Sequence, residues 1–213
     1  MTSITVRGTS HAAVAPDRAT LTLGLTYVAT TASAALEVVA ERSQRLAAVL
    51  GELGFADADW TTQGVAVTEE WEWHNDTNTK VGHRATTGVI VRVVDLERVA
   101  PLLSRAVDDA SAEVRDLRWS VSENNPARRA LLGAAAVDAT HRADAYAEAL
   151  GLQRGAVEEV SDLPIASGSG FQPEMGLFAS RSKSADAAIP MNVNPGEIDL
   201  EASVHVRFAT LPH

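Results

Sequence analysis

Ile4, Val6, Gly8, Ser10, Ala12 and Val14 alternate with Thr5, Arg7, Thr9 and His11. After Pro16-Asp17 the same period returns in Ala19, Leu21, Leu23, Leu25 and Tyr27. Strand side chains point alternately to opposite faces, and Pro-Asp favours a turn. Period two on both sides of that turn predicts an antiparallel hairpin with one buried face. At Thr31 the period lengthens: Leu36, Val39, Leu46, Leu50 and Leu53 share one stripe, and Gly54 is a stop. That predicts a helix over about residues 32–53. A second hairpin follows. Val65, Val67, Glu69, Trp71 and Trp73 form one face of a strand, and Val81, His83, Ala85, Thr87, Val89, Val91 and Val93 form one face of its return. The connector, residues 74–80, is polar and turn-prone.

Asp95 precedes a second helix over about residues 96–110. Val114, Leu117, Trp119 and Val121 mark a strand whose alternation breaks near Asp116. Asn125-Pro126 starts a third helix, because Asn caps free N–H groups and Pro suits a first turn. This helix runs to about Leu150, roughly 38 Å at 1.5 Å per residue. Its many alanines give it small sides that let its backbone lie close to a sheet, and Leu131, Val137 and Leu150 are expected to supply the bulkier contacts. Residues 157–160 read as a short strand. Residues 161–195 lose all pattern, yet hold Phe171, Met175, Leu177, Phe178 and Ile189, so parts of the stretch are expected to dock. Ile198, Leu200, Ala202, Val204, Val206 and Phe208 form the last strand. The order β-β-α-β-β-α-β-α-β-loop-β repeats a hairpin-then-helix unit. It implies an α+β fold: antiparallel or mixed sheets from β-β-α units, with the long Ala-rich helix packed on a sheet rather than a doubly wound parallel core. No convincing linker interrupts it. Residues 1–213 therefore read as one domain with two lobes, about 1–110 and 111–213.

Composition narrows the partners. The chain has no Cys, which removes disulfides, thiolate metal sites and a Cys nucleophile. Its 18 basic residues face 28 acidic ones, for a net charge of −10. Phosphate backbones are bound by clustered Lys and Arg, so nucleic acid is not an expected partner. No apolar run approaches the ~18–20 residues of a membrane span. Residues 1–7 lack the basic start and apolar stretch of a signal peptide, so the expected location is the cytoplasm.

Few residues carry a pattern that marks chemistry. His11, His74, His83, His141, His205 and His213 show no metal-ligand spacing, and there is no H-E-x-x-H. Ser167-Gly168-Ser169-Gly170 lacks the G-x-S-x-G spacing of a nucleophile turn. The isolated strand glycines Gly8, Gly24, Gly64 and Gly88 fit bulges or close strand contacts better than phosphate binding. No catalytic, metal or cofactor residue is assigned. The unusual local composition is Glu69, Glu70 and Glu72 beside Trp71 and Trp73. Acids and indoles together can hold a cation or a sugar, but a projecting hairpin end that packs on another subunit is the favoured reading. Trp71, Trp73, His74, Phe171 and Phe178 are the candidate contact residues.

Five short motifs occur in a familiar order. Pro16-Asp17-Arg18-Ala19 resembles the P-D-x-A hairpin of the SIMPL-domain family. Asp59-Trp60-Thr61-Thr62 resembles its D-I-x-T lead into a third strand, with Trp60 in place of an aliphatic residue. Gly82-His83-Arg84-Ala85 resembles its G-Y-x-A start of a fourth, with His83 in place of an aromatic one. Ala149-Leu150-Gly151 and Pro195-Gly196-Glu197-Ile198 fit its C-terminal half. The resemblance covers about the whole chain and implies an α+β fold. It also implies bacterial relatives, often periplasmic, linked to oxidative-stress tolerance or known as immunogenic envelope antigens, some building large hollow oligomers. The family has no established catalytic residues, so none is carried over. The expected function is therefore non-enzymatic: a homo-oligomer or stress-related protein working through protein contacts. A small-ligand module is the alternative, and a hydrolase with a dispersed site comes third.

Overall fold

The structure is a computed structural model that describes residues 2–74, 77–163 and 195–212. Strands are β1 (Ser3–Val14), β2 (Arg18–Ala29), β3 (Trp60–Thr62), β4 (Ala66–His74), β5 (Thr77–Val93), β6 (Glu113–Ser120), β7 (Leu152–Ser161) and β8 (Ile198–Pro212). Helices are α1 (Ala32–Glu52), α2 (Val99–Ala110) and α3 (Pro126–Ala149). All described strand pairs are antiparallel, and the fold is α+β. The chain divides into two compact units, one holding residues 2–15, 123–163 and 197–212, the other residues 16–122 and 195–196. The division falls at residues 15/16, 122/123 and 196/197.

The first unit is a three-stranded sheet in the order β1-β8-β7 beneath α3. Asn125 caps the helix by accepting the Ala127 N–H, with Pro126 in its first turn. Leu131, Ala135, Ala139, Ala143 and Ala147, spaced by four, form its buried stripe. Gly8 on β1 lies under that stripe: a Cβ there would stand 2.0 Å from the Ala135 carbonyl oxygen and 2.5 Å from the Ala139 nitrogen. The backbones meet because neither partner has bulk between them. Two bonds fix the register: the Thr9 N–H donates to Asp138 at 2.8 Å, and the Ser10 hydroxyl donates to the Leu131 carbonyl at 2.8 Å. Ile4, Val6, Val204, Val206 and Phe208 complete this core. Val137 and Leu150, expected as bulky contacts, are instead exposed. They lie off the i, i+4 stripe that faces the sheet. The strand expected at residues 157–160 runs through Leu152–Ser161, and its register shifts against β8 obscured the alternation.

The second unit is a five-stranded sheet in the order β3-β5-β2-β6, with β4 also pairing β5. Leu21, Leu23 and Leu25 of β2 and Val89, Val91 and Val93 of β5 face Val39, Leu46 and Leu50 of α1 and Leu102 and Ala106 of α2 in one core. Thr31, where the period changes, caps α1 by accepting the Ala34 N–H. The three-residue β3 is too short for periodicity to register. The broken alternation near Asp116 is a bulge: Thr22 pairs Asp116 and Leu23 pairs Val114, leaving Arg115 as the extra residue.

The predicted first hairpin does not form. β1 pairs β8, whereas β2 lies between β5 and β6. Alternation identifies a strand with one buried face, but not its neighbour. Bonds to a distant segment hold the start of β2 here: the Asp17 N–H donates to the Ser120 carbonyl, and the Asp17 carboxylate accepts the Ser122 N–H at 2.7 Å and its hydroxyl at 2.8 Å. These bonds draw the chain after Pro16 onto β6, where Arg18 pairs Ser120.

Candidate functional site

The second predicted hairpin does form, and part of it projects. β5 pairs β2 as far as Ala29↔His83, and beyond that point it pairs only β4, down to His74↔Thr77. Residues 70–74 with 77–82 are therefore a two-stranded ribbon, roughly 15 Å long at ~3.3 Å per residue. The ribbon follows from sequence: β4 and β5 keep period two, while β2 stops at Ala29 before the Thr31 cap of α1.

One face of the predicted strand is modified by a bulge. Glu70 pairs Gly82 but Trp71 pairs Lys80, so Val81 is the extra residue on β5. Bulges add twist and re-aim side chains. Trp71 and Trp73 stay on one side of β4, opposite Lys80 and Asn78, and are 51% and 69% exposed. Two ion pairs hold the base of the ribbon. Lys80 Nζ meets Glu69 at 2.7 Å, and the Arg84 guanidinium donates to both Glu70 oxygens, the Nε bond being 2.7 Å. The Lys80 hydrogen bond and charge, aided by the Trp71 side chain, hold the Glu69 carboxyl below its ordinary range. Arg84 does the same for Glu70. Of the three acids expected to serve a cation or sugar, Glu69 and Glu70 are thus bonded inside the ribbon, and among the described residues there Glu72 keeps an unpaired carboxylate.

The other sequence candidates divide. His74 closes β4 opposite Thr77. Phe171 and Phe178 lie outside the described residues. His11 is exposed and pairs Glu201 across β1 and β8. Among the described residues, no group of three His, Asp or Glu is placed to hold a metal ion. No described helix is long and apolar enough to cross a membrane. Sequence reading missed a cleft of about 340 Å³ in the second unit, lined by Phe55, Asp59, Arg92, Val94, Asp95 and Arg98. Its residues come from two separate segments, 55–59 and 92–98, so no local motif marks it. Arg98 is bonded to Asp95 at 3.0 Å and to the Gly54 carbonyl at 3.1 Å, and Arg92 to the Ala58 carbonyl at 2.8 Å.

No curated protein matches the chain. Among solved structures it is similar to the crystal structure of AtUAH in complex with (S)-hydroxyglycine, at 10% sequence identity. The likeness covers 51% of this chain and 28% of that one, with a TM-score of 0.23, too low to carry an argument. A family match spans residues 4–208, nearly the whole length, and agrees with the Pro16-Asp17, Asp59-Trp60 and Gly82-His83 motifs. The chain belongs to the SIMPL family, described as a protein of unknown function (DUF541).

Proposed function

We propose that this chain works without catalysis, as a self-assembling protein in a stress-related role, and that the β4–β5 ribbon is its contact element. The observation that carries this reading is the pair of indoles, Trp71 and Trp73, held exposed on one face of a projecting ribbon. An isolated two-stranded ribbon is marginally stable in water, and burial of its large apolar side chains is what stabilises it. Both ribbon edges lack a strand neighbour among the described residues, which adds backbone groups ready to pair. Tryptophan is also among the residues most enriched where binding energy concentrates. Removing residues 71–80 tests the reading by light scattering. A folded monomer is the expected product. Retention of the parent's assembly by the shortened chain contradicts it.

The second reading is a small-ligand module, supported by the Phe55–Arg98 cleft, whose volume is at the lower end for ligand sites. It predicts a thermal shift with small molecules bearing both charges, matching Asp59 and Asp95 against Arg92 and Arg98. Absence of a shift across such compounds counts against it.

A further inference from the structure

The ribbon needs a surface to receive it, and the second unit presents one. On β2, Arg18, Thr20, Thr22, Gly24 and Thr26 alternate with the core residues and so lie on the sheet face opposite α1 and α2. Thr20 pairs Arg92 on one side and Arg118 on the other, which places both arginines on that face. In this acidic chain most described arginines are ion-paired to a carboxylate. Among the described residues Arg18, Arg92 and Arg115 have no carboxylate within 4 Å and are exposed on this face, where Asp116 is taken up by Arg118 and Glu113, opposite Gly24, is outnumbered by the three. Arg115 is held in an unusual way. It is the bulge residue, and its guanidinium lies across Gly24, where a Cβ would stand 2.1 Å from Nε, 2.5 Å from Cζ and 2.7 Å from Nη2. Its Nη2 donates to the Thr86 hydroxyl at 3.1 Å and the Thr26 hydroxyl at 3.4 Å. The cation rests on glycine, its Nη2 is held by two threonine hydroxyls, and the side chain is exposed.

A fixed guanidinium plane with an open side is suited to an indole: Arg stacks on Trp by charge–quadrupole attraction, which requires no carboxylate. The ribbon brings two indoles, and with Glu69 and Glu70 taken up by Lys80 and Arg84 the charge its described residues leave unpaired is the carboxylate of Glu72. Ribbon against ribbon sets like charges together, whereas ribbon against the arginine face sets opposite charges together. We infer that the Trp71/Trp73 face of one copy docks on the Arg115-centred sheet face of a second copy, a head-to-tail contact between two different surfaces. This inference rests on the self-assembly reading and goes beyond it by naming the receiving site.

Head-to-tail contacts have a decisive test, because each copy carries a donor and an acceptor that can be disabled separately. One variant is Trp71→Ser/Trp73→Ser, another Arg115→Ala, and a third Arg115→Lys, which keeps the charge but loses the plane. Circular dichroism checks each fold, and sedimentation velocity reads association. The expected result is that each variant alone associates about tenfold or more weakly than the parent, Arg115→Lys included. An equimolar mixture of the Trp variant and the Arg115→Ala variant recovers a one-to-one dimer, since each supplies what the other lacks. If the Trp variant is monomeric but both Arg115 variants assemble like the parent, the ribbon reading stands and this receiving site is wrong. If the mixture stays unassociated, the head-to-tail contact is wrong. If the Trp variant also assembles like the parent, both readings fail.

Discussion

The two units layer helix on sheet in opposite ways. In the residue 16–122 unit, leucines and valines from α1, α2, β2 and β5 interdigitate, and stability comes from buried volume. In the other unit, α3 contributes mainly Ala135, Ala139, Ala143 and Ala147, and its grip comes from backbone proximity over Gly8 plus bonds to Thr9 and Ser10. One interface is filled by side chains, the other by the absence of them. The first is therefore sensitive to losing atoms and the second to gaining them.

The largest effect should come from the first. Leu23→Ala, at a fully buried site between helices and sheet, costs about 4 kcal/mol, because the cavity adds to the lost transfer energy. Chemical denaturation gives the value, and a loss below about 1 kcal/mol would remove the contrast. Next comes the same substitution at two glycines of the other unit, with opposite signs. Gly8→Ala drives a methyl into the α3 backbone and costs about 3 kcal/mol. Gly133→Ala, on the exposed side of α3 with nothing within 4 Å, stabilises by up to about 1 kcal/mol through helix propensity. A Gly8→Ala chain that melts no lower than the parent would show that α3 does not ride on Gly8.

The smallest effect concerns pH. The Thr9 N–H, then Arg142, hold the Asp138 carboxyl below its ordinary value of 3.8, against an opposing burial effect. A carboxyl whose folded pKa is depressed stabilises the fold above its unfolded pKa and loses that contribution as pH falls through the folded one. The α3–β1 link should therefore weaken below about pH 4. Asp138→Asn should flatten that acid limb without moving the neutral-pH fold. An unchanged acid limb would assign the sensitivity to other groups.

Sequence made the elements legible where a pattern is local. The change of period at Thr31, the cap at Asn125, the alanine stripe and the broken alternation near Asp116 each report on nearby backbone, and each is found in the fold. Strand partnership is not local. β1 and β8 are joined by pairing such as Val6↔Val206, and no feature of the β1 alternation distinguishes that partner from β2. Asp17 carried the missing information: a carboxylate after Pro reads as a turn, but its acceptors are satisfied by Ser122, far along the chain. The ribbon shows the same limit. Trp71 and Trp73 stand out in composition, and the structure places them exposed and together. The Val81 bulge and the Lys80–Glu69 and Arg84–Glu70 pairs were invisible, because they depend on the register between strands. Arg115 escaped notice for the same reason, since its surroundings are built by three strands.

The most direct measurement uses the ribbon indoles as their own reporters. Of the four tryptophans, Trp60 and Trp119 pack against the core, so Trp60→Phe/Trp119→Phe leaves only Trp71 and Trp73 to emit. Copies that associate through the ribbon must move these indoles out of water, so their emission should shift to the blue as protein concentration rises. Emission that stays water-like while sedimentation shows the protein associating would contradict a ribbon-mediated assembly.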